Sequence, residues 1–375
     1  MIYLDYSANT PVDARVLEQF CAVERRCIGN ANSHHQAGSA AKAEIDAATI
    51  RIASLLGVQP AEIIYTSGAS EANNFALKGL ARLSRHAGRH IISTPLEHSS
   101  VSGTLTALQE QGYEIDLLDV KQDGTVDLEH LKDLLRPDTI CVAVTLVDSE
   151  LGVVQPVQEI AAILKAYPHC HLHVDATQAV GKIPVSFEGV DTMSLTAHKF
   201  YGLNGIGLLV KRRNLALEPL IHGGESTTIY RSGTPTVALA SSLALALELA
   251  VEQLPEHAEA VQKANAFLRT ELAKYPKVRI NSPENAIPHI LNLSVQDVKG
   301  TVFQRELNEE GVCVSVKSAC SSDGLPSRAV FAVSRDRRNA LSSWRVSLSH
   351  RTTEEDLRGF LAAFDRCYRG LTETK

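Results

Sequence analysis

Two runs that end in polar residues carry the first chemical signal in this chain. Met193-Ser194-Leu195-Thr196-Ala197-His198-Lys199 and His173-Val174-Asp175-Ala176-Thr177-Gln178 each read as a buried strand whose far end presents reactive side chains. A lysine at one strand end and an aspartate at another suit pyridoxal phosphate. The amine would hold the cofactor aldehyde as a Schiff base, and the acid would keep the pyridinium nitrogen protonated so that the ring draws off electrons. Taken singly, each residue has a plainer reading: a solvated lysine, and an aspartate capping a turn or helix.

Other residues make the chemical reading the stronger one. Thr66-Ser67-Gly68-Ala69-Ser70-Glu71 follows a strand and opens a helix, so free backbone amides and small hydroxyls face whatever lies beyond the strand end, as an anion site requires. It has neither the P-loop pattern nor the three glycines of a dinucleotide turn, which favours a small phosphate ester over a nucleotide. Thr196 and His198 could complete the phosphate ligands, and Arg231-Ser232-Gly233-Thr234 is a further candidate. His98, in Leu96-Glu97-His98, can stack on an aromatic cofactor and move protons near neutral pH. His169, His171, His173 and Asp175 share one side of a period-2 strand, but one strand rarely wraps a tetrahedral ion, so no metal is expected.

A second signal lies in Val316-Lys317-Ser318-Ala319-Cys320-Ser321-Ser322-Asp323-Gly324, a polar, small-residue stretch that reads as an exposed loop holding one cysteine. Beside Lys317, Cys320 is placed to react, because the thiolate is the nucleophile and a nearby cation favours it. Arg345 falls within an otherwise apolar strand, and a buried arginine needs an anion. A substrate carboxylate gripped by both arms of the guanidinium would serve, and so would a structural ion pair.

From about residue 62 onward, short β-rich runs alternate with amphipathic ones. Strands are expected at 62–66, 90–94, 114–118, 139–144 and 171–175, with a helix from Ser70 whose apolar Phe75, Leu77, Leu80 and Leu83 recur at helical spacing. Such a series implies a largely parallel sheet covered on both faces, with ligands at the carboxyl ends of its strands. A long Ala/Leu helix should run from Val237 to about Leu254, where Pro255 breaks it, and a domain boundary is placed there. Beyond it, strands near 290–294 and 344–348 suggest a smaller α+β domain, and the Thr-x-x-Glu spacing of Thr352 and Glu355 predicts the capping box of the last helix.

The 375 residues suffice for one large domain and a smaller one, and the net charge of −6, from 37 Lys and Arg against 43 Asp and Glu, argues against strong nucleic-acid binding. Neither a leader pattern nor a long apolar run is present in the sequence, so a soluble cytoplasmic protein without membrane contact is expected. Seven cysteines without Cys-x-x-Cys or zinc spacing fit reduced thiols.

Together these runs resemble the cysteine desulfurases of the class V aminotransferase family, in the subgroup of housekeeping iron-sulfur enzymes. The resemblance rests on an ordered set: Leu4 to Val12, Thr66 to Glu71, Glu97-His98, His173 to Gln178, His198-Lys199-Phe200-Tyr201-Gly202, Arg231 to Thr234, Ser318-Ala319-Cys320 and Arg345-Val346-Ser347-Leu348. It implies the α/β architecture of fold-type I pyridoxal phosphate enzymes. There, helices sandwich a mostly parallel sheet in a large domain, 12–254, and a small α+β domain comprises 1–11 and 255–375.

The resemblance further implies the following roles. Lys199 would hold pyridoxal phosphate covalently, Asp175 would pair with its ring nitrogen, His98 would stack on the ring, and Gln178 would contact its phenolic oxygen. Ala69, Ser70, Thr196 and His198 would hold the phosphate, with Thr234 supplied by the other subunit of a homodimer. Arg345, helped by Asn30, would bind the carboxylate of L-cysteine. Cys320 would take the sulfur as a persulfide, releasing alanine, and pass it to an acceptor protein for iron-sulfur assembly or for tRNA or DNA thiolation.

Four departures from the family pattern stand out. Ser149 replaces an asparagine that contacts cofactor and substrate carboxylate, Val316-Lys317 replaces a Ser-Gly pair, His350 replaces an arginine, and Glu225 to Tyr230 lacks basic residues. These keep open a selenocysteine lyase or aminotransferase on the same scaffold, or a weakly active sulfur-relay subunit.

Overall fold

The computed structural model describes residues 1–224, 226–317 and 325–373. Its larger sheet has seven strands, in the order Ile63–Thr66, Gly207–Lys211, Thr192–Thr196, His171–Asp175, Thr139–Thr145, His90–Ser93 and Glu114–Leu117. The last five run parallel, whereas Gly207–Lys211 lies antiparallel to both of its neighbours. Thr139–Thr145 and Thr192–Thr196 are buried along their whole length, as expected where helices cover both faces.

One face is covered by the helix Ala69–Leu83, whose Phe75, Leu77 and Leu80 pack with Ile64, Ile91 and Leu209. Each of those three side chains is almost fully buried and contributes roughly 1.5–3 kcal/mol by leaving water. The expected fourth member, Leu83, is left largely exposed at the helix end. Gln36–Leu56, Val157–Leu164 and Val237–Glu252 cover the opposite face.

A three-stranded antiparallel sheet, with Ile290–Val295 between Val278–Ile280 and Ser343–Ser347, has a separate core built on Phe303, Trp344, Phe360 and Phe364. Leu4 belongs to this second core, and Ile2–Tyr3 pairs with Val312–Cys313, so the first residues join the last third of the chain.

Two helix boundaries differ from those read in the sequence. The Ala/Leu helix ends at Glu252, and Pro255 sits in the first turn of the next helix, Leu254–Leu272, where its missing N–H costs nothing. The last helix is capped one residue later than its spacing suggests, by Thr353 with Asp356 in place of Thr352 with Glu355. A shorter acid closes the box equally well because the geometry asks only for a carboxylate at the third helical position.

Candidate active site

Parallel pairing brings the polar strand ends together. Asp175 is the last residue of its strand and lies opposite Thr145 on one side and Ser194 on the other. Two residues beyond Ser194 the next strand ends at Thr196, and a single 3-10 turn, Ala197–Lys199, turns the chain back over the sheet edge. Lys199 Nζ donates to the carbonyls of Ser7 at 2.7 Å and Ala8 at 2.6 Å, so the N-terminal segment also closes on this edge.

Opposite stands the start of the helix Ala69–Leu83. Its cap is Gly68, with φ +154° and no capping side chain, which leaves the first amides free. Gly207 permits the approach: a Cβ there would come within 2.5 Å of the Leu195 carbonyl and 2.7 Å of Gly68 Cα. Glu71 in that first turn accepts from Ser67 N and from Arg231 Nε at 3.0 Å.

These elements enclose a cleft of about 330 Å³. Of the residues singled out in the sequence, Lys199, His98, Ala69, Ser70, Asp175, Gln178, Thr196, His198, Ser149 and Arg345 line it. Thr234 lies in an adjoining depression with Arg231 and Ser67, while Asn30 is exposed and holds the Asn32 amide. Cys320 and Glu225 fall outside the described residues. Among the described residues no cluster of three or more His, Cys, Asp or Glu side chains could bind a metal ion.

Asp175 accepts from Asn73 Nδ2 at 2.8 Å through one oxygen and from the Thr177 amide at 2.9 Å through the other. Gln178 donates to the Ser7 carbonyl and accepts from Lys182 Nζ, a buried amine pushed well below its usual range by burial, then by Lys199 and Arg345. Burial, aided by Lys199 and Lys182, pulls His198 down to about 4, so it is a neutral imidazole. His98 is lowered by burial and by Lys199, against the pull of Asp175.

Arg345 is 1 % exposed; it pairs with Asp5 at 3.0 Å and donates to the Ser149 carbonyl at 2.7 Å. Three buried polar atoms of cleft-lining residues, Ser7 Oγ, Thr177 Oγ1 and Arg345 Nε, have no partner. Buried polar groups are normally satisfied, so these atoms suit a polar ligand.

Sequence reasoning missed Asn73, Asp5 and Lys182. The first two gave no periodic signal, and Lys182 reads as an ordinary surface lysine until the fold buries it.

A half-buried amine, a held carboxylate, an uncapped helix start and a deep guanidinium meet around one cleft of an α/β protein. The family model for class-V aminotransferases matches residues 2–360, and the chain belongs to that family. It is 38% identical to the cysteine desulfurase IscS of Dictyoglomus turgidum, over 97% of this chain and 94% of that protein. A solved NifS-like protein superposes with a TM-score of 0.93 at 36% identity, covering 99% of this chain and all of the other. SspA, solved in complex with cysteine, gives 0.82 at 31% identity over 94% of this chain and all of that one.

Proposed function

We propose that the chain is a pyridoxal-phosphate-dependent cysteine desulfurase that converts L-cysteine to L-alanine and delivers the sulfur through Cys320. The reading is carried by the convergence of Lys199, Asp175, the helix start at Gly68 and Arg345 on one cleft. When bound, pyridoxal phosphate supplies an electrophilic aldehyde and an electron-poor ring.

The donor set fits that group. Lys199, which lines the cleft, would hold the aldehyde carbon, and Asp175, fixed at both oxygens, would meet the ring nitrogen. Free amides at Ala69 and Ser70, the Thr196 hydroxyl and neutral His198 supply phosphate donors, with Thr234 coming from the second subunit of a homodimer. Gln178 would meet the phenolic oxygen, and His98 would lie against the ring. Arg345 would orient the substrate carboxylate, and the Lys199 amine would carry the Cα proton; Asn30, the other carboxylate candidate, does not line this cleft. The substrate Cβ–S bond would then break as an S–S bond forms to the Cys320 sulfur, the proton given up by the Cys320 thiol would reach Cβ, the Cα proton would be returned, and alanine would leave. Cys320 acts here as a covalent nucleophile.

Two sheets with separate cores accord with a large domain, 12–254, and a small one formed by 1–11 and 255–375. Cys21, Cys27, Cys141, Cys170, Cys313 and Cys367 are free thiols, in accord with the reducing cytoplasm. No single helix among the described residues is long and apolar enough to cross a bilayer. The sulfur acceptor is an iron-sulfur scaffold or a thiolation enzyme.

Incubating the purified holoenzyme with L-cysteine and a thiol tests the reading. Alanine, sulfide and one added sulfur on the Cys320 peptide are expected. A keto acid product would indicate transamination, activity on selenocysteine alone would indicate a lyase, and full activity of Cys320→Ala would remove the persulfide step.

A further inference from the structure

Asn73 has no exposed surface, and its side-chain amide is fully used. Nδ2 donates to Asp175 Oδ2 at 2.8 Å and to Ser100 Oγ at 2.9 Å, while Oδ1 accepts from His173 Nε2 at 3.0 Å and from Ser194 Oγ at 2.5 Å. The carboxylate can only accept, so the amide has one possible orientation: reversed, it would set Oδ1 against Asp175. Burial pulls His173 down to about 4 and keeps the ring neutral, so with Nε2 donating, Nδ1 is left to accept from Thr192 Oγ1 at 2.9 Å.

The chain of donors continues to His98. Ser100 Oγ accepts from Asn73 and is left with its own proton to give, and it lies 2.9 Å from His98 Nδ1. The Ser100 backbone N–H points to the same nitrogen at 3.2 Å. Two donors on Nδ1 leave the imidazole proton on Nε2.

We propose that Asn73 and Ser100 are positioning residues: they join Asp175 to His98 through three hydrogen bonds and hold His98 as the Nε2–H tautomer, so that this ring offers a donor to whatever occupies the cleft. The inference rests on the cofactor reading above for its consequence in catalysis, but the tautomer itself does not depend on that reading. Neither residue touches substrate, and both act through the two that line the cleft.

The test is nitrogen-15 NMR of histidine-labelled holoenzyme, with the His98 signals identified by their loss in His98→Gln. Wild type should show one Nε2–H tautomer. Ser100→Ala keeps the backbone donor but loses the hydroxyl, so the Nδ1–H form should gain about fivefold, the worth of one neutral hydrogen bond. kcat should fall only in proportion to the Nε2–H fraction lost, with KM little changed, and Ser100→Thr, which retains a hydroxyl, should restore the wild-type tautomer ratio. Asn73→Ala should broaden the effect to cofactor affinity, weakening it about tenfold through the freed Asp175 carboxylate. Because that variant opens a hole in a buried network and could fail to fold, the part-exposed Ser100 carries the decision. An unchanged tautomer and unchanged pH–rate profile in Ser100→Ala would overturn the relay. Absence of alanine formation by wild type, with the tautomer shift intact, would instead remove the desulfurase reading and leave the relay standing.

Discussion

Arg345 Nη2 lies 3.0 Å from Asp5 Oδ1, across the junction between the N-terminal segment and the second sheet. The pair satisfies the anion that a buried arginine demands, and it does so with a residue from the opposite end of the chain. Arg345 nonetheless lines the cleft, and its Nε remains unpartnered. Under the proposed function, the ion pair and a substrate carboxylate would share one guanidinium.

Replacing Arg345 by lysine keeps the charge and loses the planar fork. KM for L-cysteine should rise at least about tenfold, with a smaller change in kcat, as measured by steady-state alanine production. Asp5→Asn should lower stability by about 2–3 kcal/mol in denaturant titrations, because one buried charge is left without its partner. A variant as stable as wild type would show that Asp5 is not the counter-ion.

Lys199→Ala should leave a folded protein that has lost the visible absorbance of a lysine-bound cofactor and at least about 10³-fold of its activity, since under the proposed function one residue would serve as both anchor and proton carrier. The absorbance spectrum after gel filtration checks the first point and alanine release the second. Retained colour and turnover would place the anchor elsewhere.

The parallel strands and the helix-opening turn at Thr66 to Glu71 were legible because apolar runs that end in polar residues are local patterns. His98, Asp175 and Lys199 could be found in this way and Arg345 as a charge inside an apolar strand, and the cleft gathers all four. Gly207–Lys211 escaped notice because glycine opens it and a lysine closes it, yet the Lys211 amine is buried against two carbonyls. Asn73, one of two adjacent asparagines on a helix, becomes meaningful only when His173, Ser194 and Asp175 arrive from two strands. Asp5 likewise gains its role from a contact 340 positions along the chain. Such residues are selected by tertiary proximity, which spacing along the sequence does not encode.

Ser149 contributes its carbonyl to Arg345 and lines the cleft at the position where the family pattern has asparagine. Ser149→Asn keeps the backbone contact and adds an amide donor among groups that await a polar ligand. The variant should gain about five- to tenfold in kcat/KM for L-cysteine, the worth of roughly one hydrogen bond. An equal or lower value would mean that the cleft has reshaped around serine.

Glu97 offers a test against pH. Its carboxyl is fully enclosed, accepts from Thr94 Oγ1 and the Thr145 amide through Oε1, and leaves Oε2 without a partner. Burial lifts it to about 8, although those two donors oppose the shift. In the unfolded chain the group ionises near 4.3. The folded state thus binds the proton more tightly, and the associated stability is complete below about pH 4.3 and is lost as pH rises through about 8. One such group changes stability by at most about 1.4 kcal/mol per pH unit. Glu97→Gln keeps the accepting oxygen and removes the titration, so its unfolding free energy should fall less steeply than that of wild type between about pH 4.5 and 8. Parallel denaturant titrations across that range decide the matter: identical slopes for the two proteins would mean that Glu97 is already ionised in the folded state.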